Sequence, residues 1–212
     1  MAEPLSHALV DLKVSPVSVK VKERISEFRL LNTLGEDLWF SELCFCLLTA
    51  NSQAKKCMEI QVKVGDGFAT LPRKKLSAKL RKLGYRFYNK RAEYIVAARP
   101  HAKGLKARLK KLAKKDTRNA REWLVENVKG MGYKEASHFL RNVGYTDVAI
   151  LDRHILRTLF EQGMIPEMPK PLNRIQYLTH ENLLRLVAFK SGLSLAALDL
   201  YLWYLKTGKV LK

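Results

Sequence analysis

Residues 123–144 read WLVENVKGMGYKEASHFLRNVG, and residues 151–160 read LDRHILRTLF. Ala120, Trp123, Leu124 and Val128 recur at helical spacing, and Ala136, Phe139, Leu140 and Val143 do so again after an interruption. That interruption is Lys129-Gly130-Met131-Gly132, so the stretch reads as two amphipathic helices, over about 117–143, joined by a tight turn. Two glycines one residue apart allow a sharp turn beside a fresh helix N-terminus, where amides without intrahelical partners can hold a phosphate. Gly-x-Gly alone is weak evidence. Between two amphipathic helices, and followed two residues later by Lys134, it is much narrower.

Outward from this hairpin the chain keeps a helical character. Residues 1–16 show no sustained period, whereas Val21, Ile25, Phe28 and Leu31 mark a first amphipathic helix ending near Gly35. Asp37 is placed to cap the next helix, and residues 38–50, LWFSELCFCLLTA, are apolar on nearly every side, as suits a central buried helix. Asn51-Ser52-Gln53 ends it. Residues 54–64 form another amphipathic helix, and Thr70-Leu71-Pro72 opens a basic one that carries Arg73, Lys74, Lys75, Lys79, Arg81 and Lys82 and closes at Gly84. Residues 85–91, YRFYNKR, then mix aromatics with cations, a combination that stacks on bases and meets phosphates, although such aromatics are more often core and such cations more often a solvated face. Residues 103–115 give a very basic helix with a thin seam of Leu105, Leu109 and Leu112. Beyond the hairpin, Pro166, Pro169 and Pro171 stiffen a connector, and Thr179 starts a helix through Lys190. Ser194 caps a last, mostly apolar helix over 195–206, in which Asp199 must be paired or at an edge. No segment alternates apolar and polar residues between hairpin turns, so the fold class is all-α.

A chain of 212 residues with 47% apolar content is globular, and its 39 Lys plus Arg against 20 Asp plus Glu give +19. Such an excess points to a polyanionic partner, and the hairpin makes that partner nucleic acid rather than a membrane or an acidic protein. No apolar run has membrane-spanning length and no charged start precedes a long apolar segment, which places the protein inside the cell, in the cytoplasm with the DNA. Cys44, Cys46 and Cys57 are odd in number and contain no Cys-x-x-Cys pair, so they read as packed thiols, with neither a disulfide framework nor a zinc site.

The hairpin, the Leu-Asp-Arg-His context at 151–154 and the ending WYLKTGKVLK resemble the archaeal-type 8-oxoguanine DNA glycosylase/lyases of the helix-hairpin-helix glycosylase superfamily, over about 37–212. The resemblance implies two helical lobes with a cleft between them, one at 37–146 and the other formed by 1–36 with 147–212. It implies a catalytic pair, Lys134 and Asp152, meeting across that cleft. It implies that Phe87 and Trp203 stack on an extruded base and that the carboxylate of Lys212 helps to read it. Lys129, Gly130, Gly132, Arg153 and His154 are then expected to hold DNA, and Asn51 either fills the gap left by the extruded base or simply caps a helix. Backbone carbonyls at Val128 and Gly130 are candidates for a monovalent cation. His138 and His154 belong to no metal-spaced pair and read as structural or phosphate-facing. With no cysteine after Cys57, the iron-sulfur cluster of related glycosylases is not expected, and neither is any other cofactor. The expected partner is duplex DNA carrying oxidised guanine, met by a monomer.

Rupture of an N-glycosidic bond builds positive charge on the sugar, so a carboxylate and an attacking amine are the groups required. Attack by Lys134 at C1′ would give a Schiff base, after which β-elimination nicks the strand. The amine must be neutral, which a helix N-terminus and a desolvated groove both favour. Asp152 also has a plain reading as the N-cap of the helix it precedes, compatible with catalysis, and Lys134 read alone is a solvated lysine. Two other functions fit the same residues: a helix-hairpin-helix glycosylase for another oxidised base, and a non-catalytic DNA-binding helical protein.

Overall fold

Helical periodicity in the sequence is realised throughout. The structure is a computed structural model that describes residues 3–169 and 172–212. In chain order the helices are α1 (Glu3–Val14), α2 (Val17–Thr33), α3 (Glu36–Thr49), α4 (Ala54–Val64), the single turn α5 (Gly67–Thr70), α6 (Arg73–Lys82), α7 (Tyr88–Ala98), α8 (Leu105–Ala113), α9 (Thr117–Asn127), α10 (Tyr133–Asn142), α11 (Arg153–Glu161), α12 (Arg174–Lys190) and α13 (Leu195–Thr207). No strand occurs among the described residues, so the chain is all-α. It divides into two compact units, Leu31–Val143 and Met1–Leu30 together with Gly144–Lys212. The division falls six residues earlier at the first boundary than the expected start at 37, because Trp39 Nε1 donates to the Leu31 carbonyl (3.0 Å) and Asn32 Nδ2 to that of Val143 (2.6 Å).

In the unit Leu31–Val143 the apolar helix α3 is the core. Trp39, Leu43, Phe45, Leu47 and Leu48 are fully buried, and α3 packs against α4, α7, α8 and α10. Its one internal carboxylate, Glu42, accepts from Asn142 (2.6 Å) and Gln61 (3.1 Å), and Asn142 accepts in turn from Arg141 (2.9 Å). A buried carboxylate is tolerated only with such partners, so this network fixes how α4 and α10 meet α3. Asp37 does not cap α3: Gly35 is the N-cap, and the acidic pair Glu36 and Asp37 lies in the first turn, where it favours the helix dipole instead.

In the other unit α13 packs on α11 and α12, with Leu198, Leu200, Tyr201 and Leu202 buried and Asp199 buried among them. Residues 3–14 form a helix that the sequence hardly signals, since Leu5 and Leu9, one turn apart, are its fully or nearly fully buried apolar residues. Its Lys13 ammonium donates to the Ser191 carbonyl (2.7 Å) at the end of α12. The helix expected from Thr179 begins at Arg174, set by a capping box in which Asn173 and Gln176 bond each other's backbone. Of the connector prolines, Pro171 lies outside the described residues.

Candidate active site and nucleic-acid interface

The hairpin is built as its sequence requires. The Asp116 side chain accepts from the Arg118 amide (2.8 Å) to start α9, and the Val128 and Met131 amides close the turn on Leu124 and Val128 carbonyls (3.0 and 3.1 Å). Gly130 adopts φ +83, and a Cβ there would lie 2.2 Å from the Tyr94 ring, so the turn is pressed directly onto α7. Only glycine meets both demands. Gly132 is the N-cap of α10 and makes no side-chain cap, and Glu135 is the acid in the first turn at the helix's positive end. Lys129 pairs with Glu93 of α7 (2.8 Å), and the ammonium beside it holds the Glu93 carboxyl below its ordinary range. Among the described residues no group of three or more His, Cys, Asp or Glu is placed to hold a metal, and the Val128 carbonyl accepts the Met131 amide.

Lys134 stands in the first turn of α10. Its side chain is 29% exposed, and Nζ lies 3.4 Å from a Glu135 carboxylate oxygen. Cys57 of α4 lies close by: burial pushes its thiol up to about 11, against weaker opposing pulls from the Ser52 hydroxyl, Lys134 and Arg91. The Cys57 neighbourhood carries no sequence signal, because it depends on how α10 and α4 pack, whereas Glu135 is simply the next residue along α10. His138, one turn further along α10, is buried edge-on to Phe45 (5.6 Å) and is structural, not phosphate-facing.

At the C-terminal end of α3, Asn51 is exposed with φ +58, a conformation rare outside glycine. Its side chain caps neither neighbour: Ala50 is the C-cap of α3 and Gln53 the N-cap of α4. Two arginines hold the turn, Arg91 donating to the Ala50 carbonyl (3.2 Å) and Arg86 to that of Asn51 (3.4 Å), while the Tyr85 hydroxyl donates to Leu48 (2.6 Å). Phe87 is half-buried at the N-cap of α7, with the Arg86 guanidinium 4.4 Å above its ring and Tyr85 edge-on.

In the unit formed by the two chain ends, Asp152 caps α11, its Oδ1 accepting from the Ile155 amide (2.9 Å). The link leading to it is tethered to α12: Glu181 accepts from the Ala149 amide (2.9 Å), the Tyr177 hydroxyl donates to Ala149 (2.7 Å) and accepts from Leu151 (3.3 Å), and Arg185 donates to Asp147 (2.9 Å). These positioning residues escape a sequence reading that starts the helix at Thr179, beyond Tyr177. Arg153 and His154 are exposed in the first turn of α11, and the His154 ring meets Trp203 edge-on at 4.8 Å. Trp203 is half-buried, and its indole N–H is buried with no acceptor among the described residues. Lys212 is also half-buried.

An all-helical chain whose amine nucleophile candidate sits on the second helix of a glycine-turn hairpin has the fold of the helix-hairpin-helix DNA glycosylases. The sequence model for 8-oxoguanine DNA glycosylase matches residues 21–193, and the chain belongs to that family. Among its relatives, the 8-oxoguanine DNA glycosylase/AP lyase of Methanocaldococcus jannaschii is 54% identical over 202 residues, covering 95% of this chain and 96% of that protein. That of Korarchaeum cryptofilum is 46% identical over 99% of both chains. A crystal structure of the M. jannaschii 8-oxoguanine glycosylase/lyase with a 15mer DNA containing 8-oxoguanine superposes with a TM-score of 0.95 at 52% identity, covering 98% of this chain and 99% of that one.

Proposed function

We propose that this chain is a bifunctional 8-oxoguanine DNA glycosylase and AP lyase that turns the damaged nucleotide out of the duplex. Lys134 is the nucleophile. Its neutral amine attacks C1′ of the deoxyribose, the bond from C1′ to the base breaks, and the base leaves with the bonding electrons and acquires a proton. Loss of the amine proton and opening of the sugar ring yield a Schiff base. Removal of a C2′ proton then expels the 3′ phosphate by β-elimination, which nicks the strand. Asp152 supplies the negative charge that stabilises the electron-poor sugar, its capping bond engaging Oδ1 and leaving the chemistry to the other carboxylate oxygen.

What supports this reading most is the position of Lys134, partly exposed in the first turn of a helix whose N-terminus lacks a side-chain cap. An amine beside a phosphate site on a protein of this family is placed to attack the sugar that the phosphate carries. Phe87 and Trp203 offer the stacking faces, and the acceptor-less indole N–H of Trp203 offers a donor. Oxidised guanine differs from guanine by an N7 hydrogen and a C8 oxygen, so an acceptor at N7, assigned to the Lys212 carboxylate, discriminates where stacking cannot. Asn51 fills the vacated space, and the hairpin amides with Arg153 and His154 meet the backbone. No cofactor enters this chemistry.

The test is excision from duplexes bearing 8-oxoguanine or an oxidised pyrimidine, with Lys134→Gln alongside. Release of 8-oxoguanine with nicking, lost in the variant, is expected. Release of only the pyrimidine would make it a glycosylase for another lesion, and binding without release by the unmutated protein would make it a DNA-binding protein.

A further inference from the structure

Helix α6 breaks a local rule. Its first turn carries Arg73, Lys74 and Lys75 and no acid, at the end where the helix dipole is positive and cations are disfavoured. Sequences that accept such a cost usually do so for a partner. The three cations are exposed, as are Arg81 and Lys82 at the other end of the helix.

A groove runs between α6 and α7. Arg73 and Lys74 line one end, Arg81 and Lys82 the other, and none of the lining residues is acidic. Between the ends, Ser77 donates to Asn89 (2.5 Å), which sets neutral polar groups along the floor, and the Arg81 guanidinium lies 5.7 Å over the Tyr88 ring. The hairpin turn meets the same helix α7 that walls the groove, Glu93 pairing with Lys129 at 2.8 Å and the Tyr94 ring lying against Gly130 one turn beyond Asn89. At ~1.5 Å per residue the ten residues of α6 extend ~15 Å. A DNA strand advances ~3.4 Å along the duplex axis per phosphate, so this length matches roughly four phosphates.

We infer that the α6–α7 groove is a second phosphate-backbone site, which takes the DNA strand leaving the hairpin turn and extends the footprint beyond the damaged nucleotide. Its ligand is the sugar-phosphate chain, read by charge without sequence. The inference rests on the hairpin turn meeting DNA, and the following experiment separates the two.

Affinity is measured against salt for a long duplex of about 30 base pairs and a short one of about 10, each with a central tetrahydrofuran abasic analogue. The variant is Arg73→Gln, Lys74→Gln, Arg81→Gln and Lys82→Gln together. A control with the same loss of charge uses exposed positions elsewhere, Lys20→Gln, Lys22→Gln, Arg29→Gln and Lys190→Gln. On the long duplex the groove variant should bind at least about tenfold more weakly at physiological salt, with a slope of log affinity on log salt shallower by about 2–4. On the short duplex its binding, and its borohydride trapping once a natural abasic site replaces the tetrahydrofuran, should match the unmutated protein. An unchanged slope on the long duplex, an equal loss on both lengths, or an equal loss in the control each overturns the groove site. If the unmutated protein fails to trap on either duplex bearing a natural abasic site, the lyase reading fails instead, whatever the groove does.

Discussion

Asp152 and Gly130 show two ways in which a single residue carries more than one demand. Asn caps a helix about as well as Asp, so Asp152→Asn should leave stability within about 0.5 kcal/mol of the original while base release slows by about a hundredfold or more. Asp152→Ala should lose the cap as well, at about 1 kcal/mol, so comparing the melting curves and turnover of the two variants separates cap from chemistry. At Gly130 a side chain would have to adopt φ +83 and would overlap the Tyr94 ring. Gly130→Ala should therefore cost about 3 kcal/mol, roughly 6–12 °C in melting temperature, and Tyr94→Ala in the same chain should recover the steric part alone. Recovery to the original stability would mean that the left-handed backbone costs nothing.

Where a helix starts or stops decides how these residues are presented. The tether of residues 147–151 depends on Tyr177, in the first turn of α12, and that turn depends on the Asn173 capping box. Asn173→Ala should cost about 1 kcal/mol and slow excision, through loosened placement of Asp152, more than it weakens DNA binding. At the end of α3, burial raises the Tyr85 hydroxyl from 10.0 to about 12, as it raises the Cys57 thiol nearby from 9.0 to about 11. Both groups keep their protons longer in the fold than in the unfolded chain. The stability they contribute is whole below about pH 9 and is lost as pH climbs towards 12, a loss that Cys57→Ala with Tyr85→Phe should flatten in alkaline melting curves. The helices are legible in the sequence where an apolar period is strong, as in α9 and α10, where the run is apolar on nearly every side, as in α3, and where a cap is plain, as at Asp152 and Ser194. Helix α1 is not, since only two of its residues bury apolar groups well enough to set a period, and neither is the start of α12, which an Asn-x-x-Gln capping box sets rather than an apolar period. The contacts around the site left no local trace at all. Tyr94 beneath Gly130, Cys57 beside Lys134 and Glu181 on the Ala149 amide join residues tens of positions apart, and only packing brings them together.

Across the whole molecule, a charge of +19 makes association with DNA steeply dependent on salt, whereas the chemistry of a bound nucleotide should not be. Under single-turnover conditions with saturating protein, the excision rate should hold nearly constant between about 50 and 200 mM salt while the concentration needed for saturation rises by tenfold or more. Whether the amine of Lys134 forms the covalent bond to the sugar is decided by peptide mapping of the borohydride-reduced adduct formed on 8-oxoguanine DNA. The added sugar mass should lie on the peptide containing Lys134, and on that residue within it. Sugar mass on any other lysine, with Lys134 unmodified, would contradict that assignment.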